Sequence, residues 1–438
     1  MTSQLRVGFA RRDITPPPGI DLSGFGFRFG ASLGSLEPLE VGVLAASDGD
    51  RTLLLFSFDL IGFTTEHLAD LRASTTAAAG VPGANQMWTC THTHGGPETG
   101  VLPGMGEKDP DYLNSVEEAA VDAAVAALSR LVTADLWLAR GESYVGANRR
   151  SAAFRPGGPE DGHIDDIDSA VVVAEFRGAD GNPVVTLVNY SCHPTGSREC
   201  VSTSDYPGHM RRTVSEVTGA PCLYVNGAGG DVNQRFDGAG YRSVSNARHH
   251  GVALGRTVLQ LRSQLRQSST TCAGSASAPA DLNYAEPISQ AEARRILAEG
   301  QHALESTTGT AQRLRIQWHQ VDFARRVLDW KPSDGPDLSV DIQALRIGDV
   351  ALVAIPSEFF SEDGRALRTQ TTSPELMIAG WSNGLVGYTP TRRAMATGGY
   401  EVDDAHRWYG HHAAWDPVSG DNLRAAALNS LSQLFGDH

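Results

Sequence analysis

The sequence predicts an α/β (α+β) fold in which mixed β-sheets are sandwiched by helices. Apolar runs of strand length and helical patterns are mixed over the whole chain, and the first third runs strand, helix, strand, helix. No internal repeat is evident. With 438 residues the chain could hold two ordinary domains, but it reads as one domain spanning 1-438.

The elements follow in order. A strand-like Val7-Gly8-Phe9 opens the chain, and the apolar run 52–59 reads as a buried strand. Thr64 or Thr65 then caps an alanine-rich helix reaching toward Gly80. A strand over 86–90 precedes a long helix begun by Asp109-Pro110-Asp111, with Leu113, Val116, Ala120, Ala124 and Leu128 on one face. Strands are expected near 134–139, 169–176 and 183–189, the last two joined by the turn sequence Gly178-Ala179-Asp180-Gly181. A helix from Tyr206 leads to a strand over 222–225. The Ser-, Thr-, Ala- and Gly-rich stretch 268-283 reads as a linker or long surface connection. Beyond it come helical patterns to about Arg326, a hairpin at Gly348-Asp349, a helix from Ser361, a strand over 376–379 and a closing helix over 421–435.

Composition narrows the functional classes. A formal charge of −15 argues against a nucleic-acid or anionic-membrane partner, since either needs a basic face. The five cysteines are odd in number and lack CxxC spacing, which suits reduced thiols. No apolar stretch is long enough for a signal peptide or a membrane span, so a soluble, cytoplasmic protein is expected.

Chemistry concentrates where predicted strands end. Thr91-His92-Thr93-His94-Gly95-Gly96-Pro97 places two histidines at strand spacing, which would aim both imidazoles into one cleft. His193 follows another predicted strand, and with the first pair it forms a nitrogen set suited to zinc. Gly30-Ala31-Ser32-Leu33-Gly34 matches the GxSxG pattern, but no apolar strand precedes it and no helix follows, so it is discarded as a nucleophile elbow. The segment from Asn226 to Asn233 lacks the Lys-Ser/Thr of a phosphate loop and reads as a tight turn lining a cleft.

These segments resemble the neutral (alkaline, non-lysosomal) ceramidases and their bacterial relatives. Asp13-Ile14-Thr15-Pro16-Pro17 resembles the family's opening motif, followed in order by Asp59, the histidine segment, Asn148-Arg149 and Cys192-His193-Pro194-Thr195. Gly230-Asp231-Val232-Asn233, Pro356-Ser357-Glu358-Phe359, Gly387-Tyr388-Thr389 and Tyr400-Glu401 complete the series. The resemblance implies zinc (Zn2+) held by His92, His193, Glu358 and Tyr388, with His94, Arg149 and Tyr400 beside it. It further implies a ceramidase-like catalytic domain in which zinc activates water, His94 moves the proton, and Arg149 and Tyr400 donate to the oxyanion.

Three features depart from the family. Asn233 replaces a serine once proposed as nucleophile, which excludes an acyl-enzyme there and leaves Asn233 to hydrogen-bond substrate. The C-terminal immunoglobulin-like domain and a secretion signal are not expected in this sequence. The expected activity is therefore hydrolysis of an amide (N-acyl) bond in a small soluble molecule rather than in ceramide. An esterase, lactonase or acyl-transfer enzyme on the same scaffold is one alternative, and a catalytically silent ligand-binding relative is another. A TIM-barrel amidohydrolase shares only the histidine pair. The polar stretch from Arg392 to His412 either shapes substrate choice or is a solvated loop.

Overall fold

The computed structural model describes residues 4–28, 30–151, 154, 166–235, 243–306, 311–332 and 335–436, with the side chains of 311–313 left aside. Its strands are β1 (Arg6–Asp13), β2 (Glu40–Ser47), β3 (Thr52–Phe58), β4 (Gln86–Cys90), β5 (Val132–Glu142), β6 (Gly146–Asn148), β7 (Ala170–Gly178), β8 (Pro183–Tyr190) and β9 (Cys222–Asn226). They continue with β10 (Val232–Gln234), β11 (Arg266–Gln267), β12 (Ala273–Leu282), β13 (Leu338–Ile347), β14 (Val350–Ala354), β15 (Glu358–Phe359), β16 (Glu375–Ala379) and β17 (Tyr388–Thr389). The helices are α1 (Thr65–Ala79), α2 (Pro110–Ser129), α3 (Asp205–Thr218), α4 (Val244–Leu261), α5 (Gln290–Ser306), α6 (Ala311–Asp329), α7 (Ser361–Gln370), α8 (Arg392–Thr397), α9 (Tyr400–Asp403), α10 (Ala405–Trp408) and α11 (Pro417–Phe435).

Local chemistry accounts for the helix ends. Thr64 caps α1 by accepting from His67 N, and Gly80 closes it in the left-handed conformation at φ +69°. Asp109 caps α2 by accepting from Tyr112 N at 2.9 Å, with Pro110 in the first turn, where its missing N–H costs nothing. The expected apolar face of α2 is buried, and it shares one core with β1 to β4 and α1.

A nine-stranded mixed sheet runs β4-β3-β2-β1-β5-β7-β8-β9 with β11 beside β5, and a four-stranded sheet runs β12-β13-β14-β16. The large sheet curls until its two ends meet: Ser57 Oγ on β3 donates to Tyr224 O on β9 at 2.6 Å. Gly42 on β2 permits this closure, since a Cβ there would stand 2.6 Å from Leu223 of β9. The inner face of this sheet packs on the four-stranded sheet through Leu55, Met87, Val225, Leu352 and Met377. Helices cover the outer faces: α1 and α2 over the β1 to β4 side, α3 and α4 over β7 to β9, and α11 over the smaller sheet. Mixed sheets between helices are what the sequence predicts.

Within the two larger sheets parallel pairing occurs at β3/β4, β8/β9 and β14/β16, each joined through a helix. The first two pairs lie at opposite ends of the strand order, so the curl brings their carboxyl ends together. Asn226, ending β9, donates to Thr91 O just past β4 at 2.7 Å and to Cys192 O just past β8 at 3.0 Å. Strand ends of this kind are where α/β sites collect.

Two expectations change. Most of the stretch 268-283 is not a connection: 273–282 form β12, paired along its length with β13, with Ala278, Ala280 and Leu282 buried. Small residues fit because that face lies under α11. The closing helix begins at Pro417, capped by Asp416, four residues before Asp421. All five cysteines are unpaired, and no described helix is long and apolar enough to cross a membrane.

Candidate metal centre and the cleft above it

His92 does not sit in a strand. β4 ends at Cys90, and His92 takes φ +63°, so its side chain reaches the centre through a left-handed turn rather than through strand alternation. Such a conformation is costly for a non-glycine residue and persists only where the surroundings enforce it. Here His92 N donates to Leu60 O, Nδ1 approaches Ile61 O at 2.6 Å, and Trp381 stacks on the ring at 4.6 Å. The other described non-glycine residues with positive φ are Asp205, Trp381 and Asn383. All three brace this region: Asn383 pairs with Trp88 of β4, and Asp205 Oδ2 accepts from Gly196 N at 2.6 Å, just past His193.

His193 is held in the same way. Its N–H donates to Val232 O, and Nδ1 approaches Gly229 O at 2.6 Å. A carbonyl can only accept, so both Nδ1 atoms carry a proton and each ring turns its Nε2 toward the centre. The glycine-rich turn before β10 allows this approach: a Cβ on Gly229 would meet Cys192 N at 2.8 Å, and one on Gly230 would meet Glu358 O at 2.3 Å. Asp231 braces the turn by accepting from Ser361 N and Asn148 Nδ2.

Glu358 and Tyr388 arrive as register partners of the short parallel ladder β15/β17. The Glu358 carboxylate lies 3.6 Å from His92 Nε2 and 2.8 Å from His193 Nε2, and the Tyr388 hydroxyl lies 3.4 Å from His193 Nε2. Tyr409 donates its hydroxyl to Glu358 Oε1. Burial pushes the His92 imidazole down to about 3, so it is neutral. Burial works to raise Glu358, but nearby positive charge, that of the Arg149 guanidinium included, outweighs it and holds the carboxyl at about 2.

These residues fit a divalent metal. His92 Nε2 is buried with no hydrogen-bond partner among the described residues, and it faces the same point as His193 Nε2 and the Glu358 carboxylate. Two imidazoles, one carboxylate and a phenol form a nitrogen–oxygen donor set of the kind zinc takes. His94 is close as well: ligand atoms of His92, His94 and His193 all lie within 4.8 Å of one another.

A cleft of about 840 Å³ opens above the centre, lined by His94, Arg149, Asn233, Tyr388 and Tyr400 among others. Arg149 joins them: Nη2 donates to Tyr388 Oη at 2.7 Å, Nη1 to Asn233 Oδ1 at 3.3 Å, and Nε to Glu401 Oε1 at 2.8 Å. Burial disfavours its charge, but Tyr388 and Glu401 more than compensate and keep it protonated. The Tyr400 ring stands 6.1 Å from that of Tyr388.

All eight residues singled out in the sequence thus gather at one place. Sequence reasoning missed Tyr409 on Glu358, Trp381 on His92, and Glu401 as the shared anchor of Arg149 and Arg150. Only Glu401 carried a signal, as an acid answering an arginine pair. The polar stretch from Arg392 to His412 is no free loop: His406 packs on Phe323 of α6, and His411 Nδ1 meets Tyr284 Oη at 2.7 Å.

The fold and the site define a mixed α/β protein with a histidine–carboxylate–phenol centre at the floor of a cleft. That fold is the neutral ceramidase fold. The structure of the neutral ceramidase from Pseudomonas aeruginosa matches with a TM-score of 0.75 and 17% identity over 99% of this chain and 75% of that one. A ceramidase complexed with C2 matches with a TM-score of 0.74 and 16% identity over the same shares. No family model and no curated protein matches the sequence.

Proposed function

We propose that this chain is a zinc-dependent hydrolase of an amide bond, the N-acyl linkage of a small molecule. The observation that carries the proposal is the convergence of His92, His193, Glu358 and Tyr388 beneath a cleft that also holds His94 and Arg149. Zinc bound by those four residues would supply Lewis acidity to water and to the amide carbonyl.

The chain's own groups then divide the work. His94 takes a proton from the attacking water and delivers it to the departing nitrogen. The water oxygen forms the new C–O bond, the C–N bond breaks, and a carboxylic acid and an amine leave. Arg149 holds the Tyr388 oxygen and, with Tyr400, offers donors to the developing oxyanion. Asn233 has no hydroxyl or thiol and so forms no acyl-enzyme; it accepts from Arg149 and lines the cleft where substrate would bind.

The test is turnover of matched N-acyl amides and esters by metal-loaded and chelator-treated protein. Amide cleavage that vanishes on chelation and returns with zinc is expected. Cleavage of esters alone would move the chain to the esterases, and stoichiometric absence of metal with no turnover would overturn the enzyme reading.

A further inference from the structure

The rim of the cleft beside His94 is cationic, in a chain of formal charge −15. Arg28, Arg149, Arg150 and Arg198 line the cleft against one carboxylate among its described residues, Glu401. Arg149 and Arg150 share that carboxylate. The rest of Arg150 is engaged by Thr397 and by the carbonyls of Ala394 and Gly398.

The other two arginines are different. Arg28 is buried, 5% exposed, and donates only to the backbone carbonyls of Ser23, His94, Ser197 and Arg198. No described carboxylate neutralises it, and burial draws its pKa down to about 10. Arg198 is exposed at the rim, and its guanidinium makes no hydrogen bond or ion pair with the described residues. Both guanidiniums face the ring of Phe25, at 4.8 Å for Arg28 and 5.8 Å for Arg198, and Phe25 meets His94 edge-on at 4.9 Å.

A buried guanidinium without a counter-ion is costly, and an anion brought beside it relieves that cost. An arginine next to it, without an ion pair among the described residues, supplies the planar fork that pairs with a carboxylate. Phe27, Met105 and Trp408 give the cleft apolar lining suited to an acyl chain. Because His94 is the group that protonates the departing nitrogen, whatever lies on its Phe25 side belongs to the amine half of the substrate.

We infer that the amide is an N-acyl amino acid or a close analogue, with a carboxylate on its amine half, and that Arg198 selects it. The inference rests on the amidase reading above. Hydrolysis adds water across the C–N bond and releases a carboxylic acid and a free amino acid.

The experiment compares N-octanoylglycine with N-octanoylglycinamide, which differ only in that carboxylate, using the zinc-loaded full chain and its Arg198→Ala and Arg198→Lys variants. The expected result is a kcat/KM preference for the carboxylate of at least about tenfold, the scale of one charge-assisted contact, carried mainly by KM. Arg198→Ala removes that preference and Arg198→Lys keeps part of it. Equal or better turnover of the neutral amide overturns the inference and leaves the amidase reading standing, as does an equal loss on both substrates in Arg198→Ala. If neither amide is cleaved, the amidase reading fails, and calorimetric binding of N-octanoylglycine decides the arginine's role. About tenfold weaker binding to Arg198→Ala supports it, and unchanged binding overturns it.

Discussion

Glu358 and Tyr388 face each other in register across the two-residue parallel ladder of β15 and β17, so one backbone pairing sets both the carboxylate and the phenol beside His193. The Glu358 N–H donates to Gly387 O at 3.0 Å and fixes that register. Glu358→Gln removes the centre's one negative charge while keeping the ladder. It is expected to weaken zinc binding by more than the roughly 10–100-fold that follows loss of an outer partner. Tyr388→Phe is expected to cost less, and competition with a chelator measures both.

Gly230 tests the same geometry without touching a ligand. A Cβ there would stand 2.3 Å from Glu358 O and 2.7 Å from its carbonyl carbon, and neither backbone atom can rotate away. Gly230→Ala is expected to displace Glu358, lowering zinc affinity and costing about 1–3 kcal/mol of stability. Chemical denaturation with metal titration checks this, and an unchanged affinity would contradict it.

Arg149 ties Tyr388, Asn233 and Glu401 together. Arg149→Ala is expected to lower kcat by about 100-fold or more with zinc retained, the scale seen when an oxyanion donor is lost. Steady-state kinetics on metal-quantified protein separates this from simple loss of the centre. Arg149→Lys keeps the charge but not the fork, so it is expected to recover only part of the rate.

Asp205 links pH to the loop behind His193. Burial raises its carboxyl to about 6, although Tyr206 N, Gly196 N and Gln234 Nε2 donate to it. Between its unfolded value near 4 and about 6 the folded chain keeps a proton that the unfolded chain has released. Stability from this group is therefore present in full below about pH 4 and lost as pH rises through 6, on the order of 3 kcal/mol. Asparagine tolerates the left-handed backbone at this position, φ +53°. The Tm of Asp205→Asn relative to the unaltered protein is expected to rise from pH 4 to 7, and a flat difference would contradict this assignment.

Much of this was legible in the sequence because capping and periodicity are local. Thr64, Gly80, Asp109 and Pro110 each mark a helix end by their own chemistry. Long-range features were not legible. The small-residue strand β12 is chosen by its pairing with β13, which no local pattern reports. The left-handed turn at His92 depends on Leu60, Ile61 and Trp381, so it is this turn and not strand alternation that brings the His92 ring beside those of His94 and His193. Glu358, Tyr388 and Arg149 came from resemblance, since an isolated acid, tyrosine or arginine carries no signal until the fold gathers it. Tyr409 had no signal at all.

His92 and His94 have different settings, although both lie within 4.8 Å of His193 in their ligand atoms. His92 and His193 each have Nδ1 held on a carbonyl and Nε2 turned to Glu358, while His94 packs edge-on against Phe25 and lines the open cleft. The most direct measurement is zinc stoichiometry together with turnover in His92→Ala and His94→Ala. His92→Ala is expected to lose the metal, whereas His94→Ala keeps it and loses turnover by about 100-fold or more. Equal loss of zinc in both variants would contradict the division and make the three histidines a single ligand set.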